Sequence, residues 1–214
     1  MTWLDRLIRD WRIAQAEPYV RDGERVLDIG CLDQTLLRRV AGRVRQAVGV
    51  DPLAEPEEKG NIRILKGVVP GSVVLPAGSF DCITMLAVLE HIPDTEGVAR
   101  ECARLLAPGG RVVITVPVAQ VDHVLSGLRF LRLIDGMSLE EHHGFDVKRT
   151  GPVFEGQGLR LSVSKWFEFG LNRLFVFEKP EVEGGSDGAE NGDGGAVEPG
   201  RTGAAAGALT GAAG

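Results

Sequence analysis

The sequence predicts an α/β fold built on a mostly parallel β-sheet, and three observations support this prediction. Short runs rich in β-branched residues alternate with longer segments of helical periodicity, which is typical of strands joined by helical crossovers. The first run ends at a glycine-containing turn, at residues 28–33, that leads into a helical pattern. Two runs near the C-terminus are separated only by a short turn, which favours antiparallel pairing. We therefore predict seven strands, antiparallel at the C-terminal end, with helices on both faces.

The elements follow in a regular order. The first 20 residues predict an amphipathic helix, because charged residues lie between apolar residues at helical spacing: Trp3, Leu4, Leu7, Ile8 and Trp11. The sequence Pro108-Gly109-Gly110 ends a later helix. The predicted strands are 25–29, 47–50, 63–67, 81–85, 111–116, 159–167 and 174–178, and the helices between them are about 35–43 and 95–106.

Two segments fall outside this alternation. Residues 119–145 form an insert after the fifth strand with apolar residues at helical spacing, and Gly136 and Gly144 would allow it to move as a lid over a substrate. After residue 180 the composition is dominated by Gly, Ala, Asp and Glu, which cannot offset the entropy of ordering. We therefore expect one domain at 1–180 and a disordered tail at 181–214.

Charge and cysteine content narrow the choice of partners and of compartment. The formal net charge is −6, but the tail holds six acidic residues against one arginine, so the domain itself is nearly neutral. It has no strong field to attract a polyanion, and nucleic acid is not an expected partner. The three cysteines have no paired spacing, which indicates a reduced, cytoplasmic protein. No apolar run approaches the roughly 20 residues that span a bilayer.

A binding site is expected at the carboxyl ends of the parallel strands. In open parallel sheets the first strand-to-helix turn presents backbone N–H groups to a ligand, and here that turn is 28–33. Asp51 ends the second strand and offers a carboxylate of the kind that accepts hydrogen bonds from ribose hydroxyls. The dinucleotide fingerprint Gly-x-Gly-x-x-Gly is missing after Gly30. A dinucleotide pyrophosphate therefore has no obvious binding loop at this site.

Four motifs carry a family resemblance. VLDIGC, VGVDP, SFDCITMLAVLEHI and LLAPGGRVVITVP occur in this order, and together they resemble the class I S-adenosylmethionine (SAM) dependent methyltransferases of the small-molecule, type 11-like group. The resemblance covers roughly Val26 to Lys179. It implies a Rossmann-like methyltransferase fold, SAM as the cofactor, and methyl transfer as the activity.

The resemblance also implies cofactor contacts. Asp28 and Gly30 would shape the pocket for the methionine end of SAM, Asp51 would bind the ribose and Pro52 would lie beside the adenine. The full set of implied cofactor residues is Asp28, Gly30, Cys31, Leu32, Asp51, Pro52, Gly67, Val68, Leu86 and Ala87.

Two departures from the family pattern bear on cofactor binding. The family's glycine-rich loop has later glycines where this chain has Leu32 and Gln34. The family also carries an acidic residue after the third strand, where backbone at Gly67 or Val68 would have to replace it. The sequence leaves two interpretations open: a subfamily that accepts larger residues, or a domain that no longer binds the cofactor.

Three histidines are candidate bases for a protonated acceptor. His91 follows the fourth strand, in a segment that replaces the motif with which DNA adenine methyltransferases bind their target. His142 and His143 follow the insert, beside two glutamates, where substrate-specific residues are expected. Each also has a plain structural interpretation, as a helix-start or a solvated loop residue. No third histidine or cysteine completes a metal-ligand set, so we predict no metal.

These observations leave three functional hypotheses. The first is a methyltransferase that methylates an oxygen, nitrogen or carbon of a small-molecule, lipid-linked or glycan-linked acceptor. The second is a catalytically silent protein of this fold that binds a partner, for which Leu32 and Gln34 argue. The third adds peripheral membrane contact through the tryptophans and arginines of the N-terminal helix, with the alternative that this helix caps the SAM pocket instead. Methyl transfer itself needs alignment and exclusion of water more than covalent help from the protein.

Overall fold

The computed structural model describes residues 3–117 and 146–181. The strands are β1 (Arg25–Ile29), β2 (Gln46–Asp51), β3 (Glu57–Lys59), β4 (Ile62–Lys66), β5 (Phe80–Leu86), β6 (Leu106–Pro117), β7 (Arg160–Phe167) and β8 (Asn172–Glu178). The helices are α1 (Trp3–Ala16), α2 (Thr35–Val40), α3 (Thr95–Leu105) and α4 (Thr150–Glu155), with short 3₁₀ turns at Glu17–Tyr19, Leu89–His91, Val147–Arg149 and Glu168–Gly170.

The eight described strands form one sheet in the order β3-β4-β2-β1-β5-β6-β8-β7. The five strands β4, β2, β1, β5 and β6 are parallel, while β8 pairs antiparallel with both β6 and β7. The predicted α/β fold with an antiparallel C-terminal end is thus confirmed. Because the carboxyl ends of β1, β2, β4 and β5 share one edge, the loops that follow them are brought together there.

The predicted number of seven strands is wrong by one. The additional strand, β3, forms an antiparallel hairpin with β4 around Gly60, at the edge of the sheet. Its sequence, Glu57-Glu58-Lys59, is charged throughout and gives no apolar alternation. Charged residues are common on edge strands, where they discourage pairing with other chains. This strand pairs with β4, and its Glu57 carboxylate also accepts a hydrogen bond from Arg38 of α2 at 2.8 Å.

Two apolar cores lie on opposite faces of the sheet. One contains Val98, Ala99 and Cys102 of α3 and Phe154 of α4, whose ring stacks on Phe177 at a centroid distance of 5.0 Å. The other contains the inner residues of α1 and α2, among them Ile13, Ala16, Leu36, Leu37 and Val40. Helices therefore cover both faces, as predicted.

Helix α1 is amphipathic, but its large apolar residues face away from the core. Trp3 and Leu7 are 67% and 54% exposed, and Trp11 is also exposed. These residues lie four apart and so share one stripe along the helix. The opposite side holds Ile13 and Ala16, which are buried. Helical periodicity identified the helix correctly, while the side that contacts the domain is the one that carries Arg9 and Arg12.

A buried ion pair joins the start of β1 to β6. The Arg111 side chain is 3% exposed, and its Nη atoms donate to the two carboxylate oxygens of Glu24 at 2.6 and 2.9 Å. Arg111 also donates to the backbone oxygen of Tyr19 at 2.8 Å. This bidentate pair anchors the connection between α1 and β1, and thereby the position of α1 beside the sheet.

Some predicted segments differ from the structure or lie outside it. Strand β6 begins at Leu106 instead of residue 111, so Pro108-Gly109-Gly110 belongs to the strand's first half. The predicted insert, 119–145, and all but the first residue of the predicted tail, 181–214, lie outside the described residues. Within the described ranges, none of the helices has the length and apolar character needed to cross a bilayer.

Candidate functional site

A cleft of about 200 Å³ opens between α1 and the turn that follows β1. It lies at the carboxyl edge of the parallel strands, where the sequence predicted a ligand site. The residues that line it are Arg9, Arg12, Ile13, Asp28, Gly30, Cys31, Leu32, Asp33, Leu36 and Leu86. Five of the ten residues predicted to contact a cofactor are among them: Asp28, Gly30, Cys31, Leu32 and Leu86.

Asp28 lies on the inner wall of the cleft and is buried. The Thr84 hydroxyl on the neighbouring strand donates to Asp28 Oδ1 at 2.6 Å. Burial raises the pKa of the Asp28 carboxyl to about 7, and the hydrogen bond from Thr84 opposes that rise. The charged form of Asp28 is therefore costly to bury, and a positive group in the cleft would stabilise it.

Gly30 directly follows β1 and has a conformation that favours glycine, with φ of 79°. A Cβ atom at this position would lie 2.3 Å from Cγ2 of Val88. The turn after β1 and the turn after β5 thus approach each other so closely that only a hydrogen fits between them. This close approach is what allows backbone groups to line the cleft.

The loop after Gly30 keeps a tight turn without the family's later glycines. Gln34 has a φ of 58°, in the left-handed region, so a non-glycine residue adopts the conformation that glycine usually supplies. The Gln34 N–H donates to the Cys31 carbonyl at 2.5 Å, and helix α2 begins at the next residue. The Leu32 side chain is 56% exposed and borders the cleft. The Cys31 thiol is buried, and burial raises its pKa to about 12.

Asp51 is buried at the end of β2 and is not among the residues that line the cleft. Its Oδ2 accepts the Leu32 N–H at 3.2 Å, and its Oδ1 accepts the Leu53 N–H at 2.7 Å. Asp51 therefore holds the loop after β1 against the end of β2. Each carboxylate oxygen retains a second acceptor site, which could accept a hydrogen bond from a ribose hydroxyl.

The other predicted adenine-side residues follow β2 and β4. Gly67 N–H donates to the Asp51 carbonyl at 3.1 Å, and Val68 N–H donates to the Ser72 hydroxyl at 3.1 Å. Pro52 and Val68 are exposed. None of the three lines the described cleft. They lie beside Asp51 at the same edge of the sheet, on the side away from α1.

Leu86 is the last residue of β5, and Ala87 follows it, on the opposite side of Gly30. Leu86 lines the cleft, whereas Ala87 does not. Ala87 has a φ of 57°, and its N–H donates to both the carbonyl and the hydroxyl of Thr115, at 2.9 and 3.1 Å. Thr115 of β6 thus stabilises the left-handed turn by which the chain leaves β5.

Sequence reasoning missed the basic wall of the cleft, which is formed by Arg9 and Arg12 of α1. Arg9 Nη1 lies 2.5 Å from Asp33 Oδ2. Although burial opposes it, hydrogen bonds from Thr35 and Arg9 lower the pKa of Asp33. The spacing of Arg6, Arg9 and Arg12, three residues apart, was the available signal, because residues at this spacing share one side of a helix.

The lining residues fit a zwitterionic nucleoside such as SAM. Two guanidinium groups offer donors to a carboxylate, and the Asp28 carboxyl faces the same cleft. Gly30 provides the close backbone approach, since a Cβ atom there would collide with Val88. The apolar residues Ile13, Leu36 and Leu86 complete the wall.

The three candidate bases are not equally placed. His91 lies in the turn after β5 with its side chain 47% exposed, and its Nε2 is 4.0 Å from Glu90 Oε1. It does not line the described cleft. His142 and His143 lie outside the described residues. A search of residues 3–117 and 146–181 gave no group of three side chains suited to hold a metal ion.

Comparisons with known proteins agree with a site for SAM. A family model for the methyltransferase domain matches residues 2–160. The ubiquinone biosynthesis O-methyltransferase of Idiomarina loihiensis is 26% identical over 193 residues, covering 74% of this chain and 76% of that protein. The enzyme of the same name from Chromobacterium violaceum is 34% identical over 99 residues, so the alignment spans 43% of that relative.

A solved structure shares the fold. The SAM-dependent methyltransferase of Mesorhizobium loti superposes with a TM-score of 0.60 at 16% identity, covering 78% of this chain and 95% of that one. At this identity the likeness shows the fold alone, while the family model carries the assignment. The comparisons do not favour the silent-partner hypothesis. The chain belongs to the class I SAM-dependent methyltransferases, and its cofactor is SAM.

Proposed function

We propose that this methyltransferase transfers the methyl group of SAM to a hydroxyl oxygen of a small-molecule or lipid-linked acceptor. The observation that carries the oxygen as acceptor atom is the similarity to enzymes named as O-methyltransferases, at 26% identity over 74% of this chain. A second such relative is matched over less than half of its length, so the acceptor of this protein is a proposal of its own.

The residues that line the cleft would have different roles in binding the cofactor. The cofactor brings an activated methyl group on a positively charged sulfur. Arg9 and Arg12 would bind the carboxylate at its methionine end, and Gly30 would admit the methionine backbone closely. Ile13 and Leu86 would exclude water from the sulfonium side of the cleft. Catalysis then depends on aligning acceptor oxygen, methyl and sulfur in a line.

A hydroxyl acceptor must lose its proton during transfer, and we propose His91 as the group that takes it. Its side chain is partly exposed, and the buried Glu90 carboxyl lies 4.0 Å behind it. A carboxylate in this position stabilises the imidazolium that proton transfer creates. His142 and His143 remain alternative bases.

The apolar stripe of α1 supports an apolar acceptor. Trp3, Leu7 and Trp11 are exposed on the side of the helix opposite to the arginines of the cleft. Phe169, which is 94% exposed, packs edge-on against Trp11 at a centroid distance of 5.8 Å. Exposed tryptophans on one side of an amphipathic helix are typical of helices that lie at a lipid surface. We propose that this surface brings the cleft to a membrane that contains the acceptor.

The enzymatic proposal is tested by measuring S-adenosylhomocysteine released from SAM with a panel of small phenols and their isoprenylated counterparts. We expect turnover with at least one hydroxylated acceptor. We also expect kcat to fall more steeply below neutral pH in wild type than in His91→Gln. Binding of SAM without turnover on any hydroxyl, amine or carbon acceptor would contradict the enzymatic proposal. It would favour the hypothesis of a catalytically silent protein that binds a partner.

The membrane proposal is tested by sedimentation with vesicles of phosphatidylglycerol and phosphatidylcholine. We expect wild-type protein to sediment and the double variant Trp3→Gln/Leu7→Gln to remain in the supernatant. The matched control is Val74→Gln, which changes an apolar residue that is 88% exposed elsewhere on the domain. Equal sedimentation of all three proteins would overturn the proposed role of the stripe.

A further inference from the structure

Asp33 lies at the tip of the turn between β1 and α2. The Gln34 N–H donates to the Cys31 carbonyl at 2.5 Å, which closes a four-residue turn. Leu32 and Asp33 are the central residues of this turn, and both line the cleft. The loop that replaces the family's later glycines therefore presents a carboxylate to a ligand in the cleft.

Two neighbours hold the Asp33 carboxylate in place. Its Oδ2 lies 2.5 Å from Arg9 Nη1 of α1, and its Oδ1 accepts the Thr35 N–H at 3.0 Å. Arg9 is held in turn by Asp10, whose Oδ1 accepts hydrogen bonds from Arg9 Nε and Nη2 at 3.1 and 2.9 Å. A carboxylate can accept about four hydrogen bonds, so Asp33 keeps room for a donor from a ligand. The carboxylate is thus positioned before a ligand binds.

Among the described residues that line the cleft, Asp28 and Asp33 carry carboxylates, and their charge states differ near neutral pH. Burial raises the pKa of Asp28 to about 7, and the hydrogen bond from Thr84 opposes that rise. Although burial opposes it, hydrogen bonds from Thr35 and Arg9 lower the pKa of Asp33. Of these two carboxylates, Asp33 is therefore the one that is fully charged at neutral pH.

The adjacent charges of Arg9 and Asp33 match those of an α-amino acid. The methionine end of SAM carries its ammonium and carboxylate groups on the same carbon atom, so the partners of these groups must also lie close together. Arg9 and Asp33 line the same cleft and are in contact, which meets this requirement. We propose that Asp33 is a cofactor-binding residue, whose carboxylate accepts a hydrogen bond from the ammonium group while Arg9 binds the carboxylate. The inference rests on the cofactor site proposed above.

The proposal predicts a ligand selectivity that a merely structural role of Asp33 does not. The desamino analogue of S-adenosylhomocysteine has a hydrogen atom in place of the ammonium group, and it keeps the carboxylate and the nucleoside. Loss of the Asp33 charge also changes the surroundings of Arg9, but Arg9 meets the same carboxylate in both ligands. The ratio of the two affinities therefore cancels effects through Arg9 or through the fold, and it isolates the contact between Asp33 and the ammonium group.

The experiment is calorimetric titration of both ligands into the full chain at pH 7. A hydrogen bond between charged groups is strong, so we expect wild type to prefer S-adenosylhomocysteine by about tenfold or more, and Asp33→Asn to lower this preference by about fivefold or more. Asparagine keeps an acceptor for the Thr35 N–H and removes the charge. Asp10→Asn is the matched control. It removes the other carboxylate partner of Arg9, which does not line the described cleft, and should keep the wild-type preference.

An equal preference in wild type and Asp33→Asn would overturn the inference while leaving the cofactor site intact. Loss of the preference in Asp28→Asn alone would also overturn it, because the ammonium group would then bind Asp28. If Asp33→Asn does not fold, as judged by circular dichroism, Asp33→Ser decides, since its hydroxyl also offers an acceptor to the turn. Absence of any binding of S-adenosylhomocysteine to wild type would instead overturn the cofactor site, and this inference with it.

Discussion

Asp28 and Thr84 are direct partners across the parallel strands β1 and β5, and their side-chain oxygens lie 2.6 Å apart. The threonine is completely buried, so its hydroxyl serves the aspartate and the strand backbone rather than solvent. This pair fixes the Asp28 carboxyl at the inner wall of the cleft. It also stabilises the charged form, against burial that favours the neutral one.

The first prediction concerns the stability of the fold with pH. The folded-state pKa of Asp28, about 7, lies above its ordinary value of 3.8, so the native state binds this proton more tightly than the unfolded chain. Its contribution is complete below about pH 4 and is lost as the pH rises to 7, at a slope of at most about 1.4 kcal/mol per pH unit.

Asp28→Asn cannot ionise and still offers an acceptor to Thr84. Its free energy of unfolding in urea should therefore fall less between pH 4 and 7 than that of wild type. Glu58→Gln is the matched control, since it removes an exposed carboxylate and should follow wild type. A parallel pH profile for wild type and Asp28→Asn would show that the carboxyl is not perturbed.

The second prediction concerns the close approach at Gly30. Alanine there would adopt a φ of 79° at a cost of about 1–2 kcal/mol, and its Cβ would collide with Val88. Gly30→Ala should thus lower both the thermal midpoint and the affinity for SAM. Gly42→Ala is the control, because a Cβ at Gly42 meets nothing within 4 Å. Equal behaviour of the two variants would contradict the crowded turn.

The third prediction concerns Gln34, which takes the left-handed conformation without being glycine. Gln34→Gly removes a steric cost of about 1–2 kcal/mol and adds an entropic cost of about 0.5–1 kcal/mol in the unfolded chain. We expect a net gain of up to about 1 kcal/mol in urea unfolding. Gln15→Gly, inside helix α1, should instead lose about 1 kcal/mol. A loss at both positions would argue against strain at Gln34.

The fourth prediction compares two ion pairs. Glu24→Ala leaves the buried Arg111 guanidinium without its carboxylate, and we expect a loss of about 3–5 kcal/mol in the free energy of unfolding. Glu178→Ala leaves Arg160, whose side chain is 76% exposed, and should cost no more than about 1 kcal/mol. Chemical denaturation of both variants measures the difference. Similar losses would mean that burial does not govern the Glu24–Arg111 pair.

Much of the central fold could be predicted because its strands are apolar and bounded by glycine. Strand β1 was predicted at its observed bounds, Arg25–Ile29. Strand β3 could not be predicted, because its charged residues give no alternation and its pairing depends on β4. The orientation of α1 was also hidden, since periodicity shows that a helix has two sides but not which side meets the domain.

The site could be predicted in its position and only partly in its members. Motif order pointed to the turn after β1, and Asp28, Gly30 and Leu86 lie in the cleft. Arg12 was missed because the apolar stripe, on the other side of α1, was the stronger signal in the sequence.

The central claim is that the cleft between α1 and the β1 turn binds SAM with its carboxylate on the basic wall. The most direct measurement is calorimetric titration of SAM into wild type, Arg12→Gln and Arg6→Gln, where Arg6 is an exposed arginine of the same helix. A hydrogen-bonded charge contributes about 1.5–3 kcal/mol, so we predict at least a tenfold loss of affinity for Arg12→Gln and none for Arg6→Gln. An affinity of Arg12→Gln for SAM equal to that of wild type, or no binding of SAM to wild type, would contradict this claim.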